Sequence, residues 1–81
     1  MSEHKKIIYD ILRRVAEDEG VQLGTISDSS ALIDNLGFRS LQIARILAML
    51  EIEFSFDPFA SGEVPITSLR TVDDLCAAYE R

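Results

Sequence analysis

Apolar residues recur along the chain at helical spacing in three separate segments. The first segment has a stripe made of Ile7, Ile8, Ile11, Leu12 and Val15. At 3.6 residues per turn these positions share one face, and polar residues fill the rest of the surface. The pattern predicts a helix over residues 3–18, with Gly20 as a stop signal just beyond it.

The second segment is more apolar than a helix with one buried face requires. Its main stripe comprises Ile43, Ile46, Leu47, Leu50 and Phe54, which predicts a helix from Ser40 to about Glu53. A second row of apolar or small residues lies on another face and comprises Leu41, Ala44, Ala48 and Ile52. Either the fold covers this helix on two sides, or the second row is a docking surface.

The third segment predicts a short closing helix. Thr71 is a good N-cap residue, and Asp74 three positions later approaches a capping box. The buried stripe of this helix would be Val72, Leu75, Cys76 and Tyr79. Residues 66–69 before it predict one short helical turn.

A long segment, residues 21–39, connects the first two helices. It is rich in Ser, Asp, Asn and Gly, yet it also contains seven large apolar residues. We therefore expect an ordered loop packed on the core, with a helical turn near residues 30–33. No segment alternates with the period of a strand, so the predicted fold is all-α, with three main helices and a short extra one.

Size and charge narrow the classes of function. The 81 residues suffice for a single domain, residues 1–81, with a thin core and no deep cleft, which argues against a self-contained enzyme. Eight basic against 14 acidic residues give a net charge of −6. Such a surface repels nucleic acids and anionic membranes, so we expect neither as a partner.

Cysteine and histidine offer little chemistry of their own. The single cysteine, Cys76, excludes an internal disulfide and is expected to be a buried apolar residue. His4, the one histidine, lies in a polar segment without a ligand cluster, so no metal site is expected. No apolar run reaches the ~18–20 residues of a spanning helix, and no signal peptide is visible, which predicts a cytoplasmic protein.

The informative motif is the segment of residues 34–41, Asp-Asn-Leu-Gly-Phe-Arg-Ser-Leu. It places the Ser40 hydroxyl in the first turn of a helix, directly after a loop that contains Gly37. Helix N-termini have free N–H groups and partial positive charge, so a phosphate on Ser40 would be favoured. Local chemistry alone favours the simpler interpretation that Ser40 is only an N-cap residue.

Taken together with its flanks, this motif resembles the acyl and peptidyl carrier proteins. The resemblance includes residues 36–41, the aliphatic helix that ends at residues 50–54, and the segments 30–34 and 66–75, in order and with matching spacing. It implies a small acyl-carrier-like bundle, a monomer, in which Ser40 accepts 4′-phosphopantetheine from coenzyme A. The arm would hold an acyl, aminoacyl or peptidyl group as a thioester, and the protein itself would not be an enzyme.

The resemblance also implies partners. These are a Mg²⁺-dependent phosphopantetheinyl transferase, an adenylating or acyl-loading enzyme, and condensing or tailoring enzymes. The residues expected to face them are Arg39, Leu41, Ala44, Arg45, Ala48 and Ile52. One departure concerns Arg39, which stands where the family usually has Asp, so the efficiency of modification or the choice of transferase is open.

The sequence leaves more than one possibility for the group that the protein would carry. Gln42 and Arg45 stand where acyl carriers of fatty-acid synthesis have acids, which favours a peptidyl-type carrier in nonribosomal peptide or related secondary-metabolite synthesis. The first alternative is an acyl carrier for polyketide or fatty-acyl units. The second is a helical protein-interaction module without a prosthetic group.

Overall fold

The predicted helices are present in the computed structural model, which describes residues 3–60, 62 and 64–80. Helix α1 spans Glu3–Glu19, α2 spans Ser40–Phe54 and α3 spans Val72–Tyr79, with a 3₁₀ helix at Ile66–Ser68. Within these residues the only β-type pairing is one isolated antiparallel bridge, between Ala31 and Thr71. The all-α prediction, with three main helices and a short extra one, is confirmed.

Helices α1 and α2 run antiparallel. The His4 ring at the start of α1 stacks on Phe54 at the end of α2, with ring centroids 4.8 Å apart. At the other end, Arg45 of α2 is paired with Asp18 and Glu19 of α1. His4 is therefore a packing residue of the helical body.

The core lies between one face of each helix and the long loop. The predicted stripes of α1 and α3 are buried, Ile7 excepted, which is half-buried. In α2 only Ile46 and Leu50 are fully buried, while Ile43, Leu47 and Phe54 are half-buried. Only a narrow strip of α2 is therefore part of the core, and most of that helix lies near the surface.

Helix α3 has only eight residues and depends on its N-terminal cap. The Asp74 N–H donates to Thr71 Oγ1 at 3.1 Å, and Asp74 Oδ2 accepts the N–H of Thr71 at 3.0 Å and of Arg70 at 3.1 Å. These backbone donors, Thr71 first, lower the pKa of Asp74. The predicted capping box is confirmed.

The loop between α1 and α2 is ordered and packed, as predicted, with Leu32, Leu36 and Phe38 buried. Its helical turn lies at residues 31–37, later than predicted, where the Asn35 N–H donates to the Ala31 carbonyl at 3.0 Å. The Asn35 side chain closes the turn, because its Oδ1 accepts the Ala31 N–H at 2.7 Å.

Two sets of bonds attach the loop to the helices. The Leu32 N–H donates to the Arg70 carbonyl at 2.9 Å, next to the start of α3. On the α1 side, Asp28 accepts Lys5 Nζ at 2.5 Å and the Tyr9 hydroxyl at 2.6 Å. The bond to Asp28 raises the pKa of Tyr9 to about 12, and the bonds from Lys5 and Tyr9 lower the pKa of Asp28.

Candidate functional site

Ser40 is the first residue of α2, and the N-cap is Arg39, with extended backbone at φ −101° and ψ 169°. The Arg39 N–H donates to Gln42 Oε1 at 2.8 Å, which is one half of a capping box. A guanidinium has no acceptor atom, so the Arg39 side chain leaves the free N–H groups of the first turn unpaired. The interpretation of Ser40 as an N-cap is therefore wrong.

The Ser40 hydroxyl is exposed and accessible. Among residues 3–60, 62 and 64–80, no side chain or backbone group is hydrogen-bonded to it. His4 packs on Phe54 at the opposite end of α2, about 21 Å away at 1.5 Å per helical residue. The one histidine of the chain thus cannot act as a base for Ser40.

The loop that leads into Ser40 is held in place by Phe38. This side chain is fully buried, and its N–H donates to the Leu32 carbonyl at 3.0 Å. Just before it, Gly37 has φ +79°, the left-handed region in which a residue without Cβ is not strained. The turn at Gly37 and the buried Phe38 ring fix the backbone just before α2, so the position of Ser40 is well defined.

The second apolar row of α2 is on the surface. Leu41 is 79% exposed and Ile52 is 80% exposed, and Ala44 and Ala48 between them are exposed as well. Of the two possibilities that the sequence left open, the fold does not cover this helix on its second side. We call this row, Leu41, Ala44, Ala48 and Ile52, the outer row.

Arg45 lies beside the outer row but is engaged within the chain. Its Nη2 is 2.9 Å from Asp18 Oδ2, and its Nη1 is 3.0 Å from Glu19 Oε2. The guanidinium thus bridges two carboxylates at the end of α1, and this contact joins α1 to α2. Of the residues expected to face partners, Arg39 and Leu41 are exposed on either side of Ser40. Arg45, in contrast, is paired with carboxylates of the same chain.

The described residues were compared with the side-chain clusters that bind metal ions. No group of three or more His, Cys, Asp or Glu residues that could hold a metal ion occurs in the part of the chain that the structure describes.

Cys76 is buried, as predicted, at 3% exposure, and burial raises the pKa of its thiol to about 11. No helix among the described residues is long and apolar enough to cross a membrane.

Sequence reasoning missed the contacts that join distant segments of the chain. The bond network of Lys5, Tyr9 and Asp28 joins residues about twenty positions apart, and nothing in their local sequence indicates it. The same holds for the partners of Arg45. The N-cap position of Arg39 is different, because a local signal could have indicated it. The start of the apolar stripe places Ser40 inside the first turn, and the residue before it is then the N-cap.

Comparison with known proteins gives one informative match. No protein-family profile matches the chain, and no curated protein is significantly similar to it. The solution structure of MacpD, an acyl carrier protein from Pseudomonas fluorescens involved in mupirocin biosynthesis, is similar at a TM-score of 0.73 and 30% identity. The match covers 94% of this chain and 69% of MacpD. Together with the fold and the position of Ser40, this similarity shows that the chain belongs to the acyl carrier protein family.

Proposed function

We propose that Ser40 is the attachment point of a 4′-phosphopantetheine arm and that the protein presents an acyl group, held on this arm as a thioester, to partner enzymes. In the attachment step Ser40 Oγ forms a new bond to phosphorus and the pyrophosphate bond of coenzyme A breaks. Adenosine 3′,5′-bisphosphate leaves, and a base of the transferase takes the hydroxyl proton. The bound arm supplies the thiol, and the protein supplies position.

The observation that supports this proposal most is the unpartnered, exposed hydroxyl at the first position of α2. The open N–H groups of the first turn and the positive end of the helix favour an anionic phosphodiester there. Arg39 adds a positive charge one residue away. The residues present therefore fit the group, even though Arg39 replaces the usual Asp.

The similarity to MacpD favours an acyl cargo over an aminoacyl or peptidyl one. The peptidyl-type reading remains the second candidate, because the half of α2 nearest Ser40 has no acidic side chain on its surface. Charging assays separate the two. An adenylating enzyme with amino acids would load a peptidyl carrier, and an acyl-loading enzyme would load an acyl carrier.

We further propose that partner enzymes approach Ser40 over Arg39 and the outer row. An exposed apolar row beside a reactive group is the kind of surface that partner proteins cover. Arg45 would contribute at the edge, with its bonds to α1 holding the guanidinium in one orientation. We also propose that the protein works as a monomer in the cytoplasm.

Intact-mass spectrometry tests the attachment site. The protein is incubated with coenzyme A, Mg²⁺ and a broad-specificity phosphopantetheinyl transferase, and we expect a mass gain of one phosphopantetheine group. Ser40→Ala should show no gain, whereas Ser29→Ala, a matched change at another exposed serine, should gain mass as the wild type does. An unchanged mass of the wild-type protein would overturn the proposal.

A further inference from the structure

Helices α2 and α3 both follow irregular segments, but their N-termini are capped in different ways. At the start of α3, Thr71 Oγ1 accepts the Asp74 N–H at 3.1 Å and Asp74 Oδ2 accepts the Thr71 N–H at 3.0 Å. At the start of α2 only the second of these contacts has a counterpart, in which Gln42 Oε1 accepts the Arg39 N–H at 2.8 Å. The N-cap side chain of α2 offers no oxygen to the free N–H groups that follow it.

The free N–H groups of α2 belong to Ser40, Leu41 and Gln42. The first intrahelical bond runs from the Ile43 N–H to the Arg39 carbonyl at 2.9 Å, so these three donors precede it. Among the described residues, no group accepts a hydrogen bond from them. Three unpaired donors therefore lie around the Ser40 hydroxyl, at the positive end of the helix.

Arg39 is an unpaired cation directly before these donors. Its side chain is exposed, and no ion pair joins it to a carboxylate of the residues that the structure describes. Arg45 differs, because Asp18 and Glu19 already hold its guanidinium at 2.9 and 3.0 Å. The first turn of α2 also contains no acidic side chain. The donors of Arg39 and of the first turn thus have no acceptor in the described part of the chain.

We propose that the phosphodiester of the arm completes the N-terminal cap of α2, with the Arg39 guanidinium as its counterion, so that attachment of the arm stabilises the helix that carries it. This inference rests on the proposed function, because it takes the arm to be attached at Ser40. The unesterified oxygens of a phosphodiester accept hydrogen bonds from backbone N–H groups and from the planar fork of a guanidinium. Arg39 is then a positioning residue for the arm, and the unmodified protein is the less stable form.

Urea unfolding of the unmodified and the modified protein tests this inference. Both forms are taken from one preparation, and intact mass verifies the modification. We expect modification to raise the folding equilibrium constant of the wild type about fivefold. The gain should shrink in about 1 M NaCl, because salt screens the interaction between the phosphodiester and its cation.

Two arginine variants separate Arg39 from a general effect of positive charge. Arg39→Gln should lose about half of the stability gain on modification, because the counterion is removed. Arg14→Gln is the matched control, since Arg14 is also exposed but lies on α1, where it lines a groove with Met49 and Glu53 near the other end of α2. This variant has the same net charge as Arg39→Gln and should keep the full gain.

Arg39→Asp should reverse the sign of the effect. An Asp side chain is a good N-cap, because its carboxylate accepts the free N–H groups, so the unmodified variant should be more stable than the unmodified wild type. After modification, the carboxylate and the phosphodiester compete for the same donors and repel each other. Attachment of the arm should therefore lower the urea midpoint of this variant.

NMR spectroscopy of the ¹⁵N-labelled wild type needs no variant, so it also decides the question if the transferase rejects a change at Arg39. On modification, the N–H groups of Leu41 and Gln42 should exchange more slowly, and the Arg39 Nε–H signal should shift while that of Arg14 stays. Absence of a mass gain in the wild type would refute the carrier function itself. A mass gain with an unchanged urea midpoint, an undiminished gain in Arg39→Gln, or an unshifted Arg39 signal would overturn this inference alone.

Discussion

Leu41 and Leu50 are the same side chain on the same helix, yet Leu41 is 79% exposed and Leu50 is fully buried. The two apolar rows of α2 therefore differ in what covers them, because the same leucine side chain is buried in one row and exposed in the other. The inner row, which comprises Ile43, Ile46, Leu47, Leu50 and Phe54, faces α1, α3 and the ordered loop, and its burial stabilises the fold. The outer row contributes little to folding, which leaves it free to contact other proteins.

The sharpest test of this comparison removes the same side chain from each row. Leu50→Ala should lower the free energy of unfolding by about 2–5 kcal/mol, because it leaves a cavity in a thin core. Leu41→Ala should change it by less than about 0.5 kcal/mol, since the side chain is mostly in water already. Urea unfolding followed by circular dichroism measures both. Similar losses for the two variants would contradict the assignment of the rows.

A charge placed in the outer row should impair function without affecting the fold. Ala48→Glu should slow phosphopantetheine transfer to Ser40 by about tenfold, because a carboxylate interrupts the apolar contact with the transferase. The urea midpoint should stay at the wild-type value. Ala77→Glu, at an exposed alanine of α3, serves as the matched control and should be modified at the normal rate. Unaltered transfer to Ala48→Glu would exclude the outer row from the transferase contact.

Replacing Asp28 should weaken the attachment of the ordered loop to α1, and with it the packing of the loop on the inner row. Its pKa is lowered by the bonds from Lys5 and Tyr9, so the stability it contributes is present above the unfolded-state pKa of about 3.9. That contribution is lost as the pH falls through the lower folded-state pKa. Asp28→Asn should therefore unfold at lower urea concentration than the wild type at pH 7, and the difference should narrow on acidification.

Asp34→Asn is the control for this experiment. Asp34 is an exposed loop carboxylate, and no ion pair joins it to the residues that the structure describes. Its replacement should leave the urea midpoint at pH 7 unchanged. A gap between Asp28→Asn and the wild type that stays constant from pH 7 to strongly acidic pH would refute the role of the Asp28 carboxylate.

The smallest effect is expected at Tyr79, where the inner row ends in an aromatic cluster. Phe54 and Phe56 each lie 5.5 Å from the Tyr79 ring between centroids, and its hydroxyl is buried with no hydrogen-bond partner among the described residues. Burial raises the pKa of this phenol to about 12. Tyr79→Phe removes an unpaired polar group, so we expect unchanged or slightly raised stability, by up to about 1 kcal/mol. A clear loss in thermal unfolding would mean that the hydroxyl has a partner.

Much of this architecture follows from the sequence because it depends on local spacing. The three helices follow from apolar residues three and four positions apart, and the cap of α3 follows from the pairing of Thr71 with Asp74. The burial of Cys76 follows from its place on an apolar stripe. The position of Ser40 in the first turn of α2 was predicted from the local pattern, whereas its proposed role came from the resemblance to carrier proteins.

What the sequence did not predict involves contacts between distant segments. The resemblance to carrier proteins placed Arg45 on the partner surface, and nothing in the local sequence indicates the carboxylates that α1 brings within 3.0 Å of it. The Asp28 network has the same cause. The loop turn extends further along the chain than predicted, and its closing contact, in which Asn35 Oδ1 accepts the Ala31 N–H, was not anticipated from the sequence.

The burial of Cys76 has a practical consequence for following the chemistry at Ser40. A thiol reacts as its thiolate, and Cys76 is almost fully buried with the pKa of its thiol raised to about 11, so we expect it to react very slowly at neutral pH in the folded protein. Maleimide should therefore leave the unmodified protein unlabelled. Any labelling that develops after treatment with coenzyme A and a transferase then reports the thiol of the arm. The untreated protein serves as the negative control.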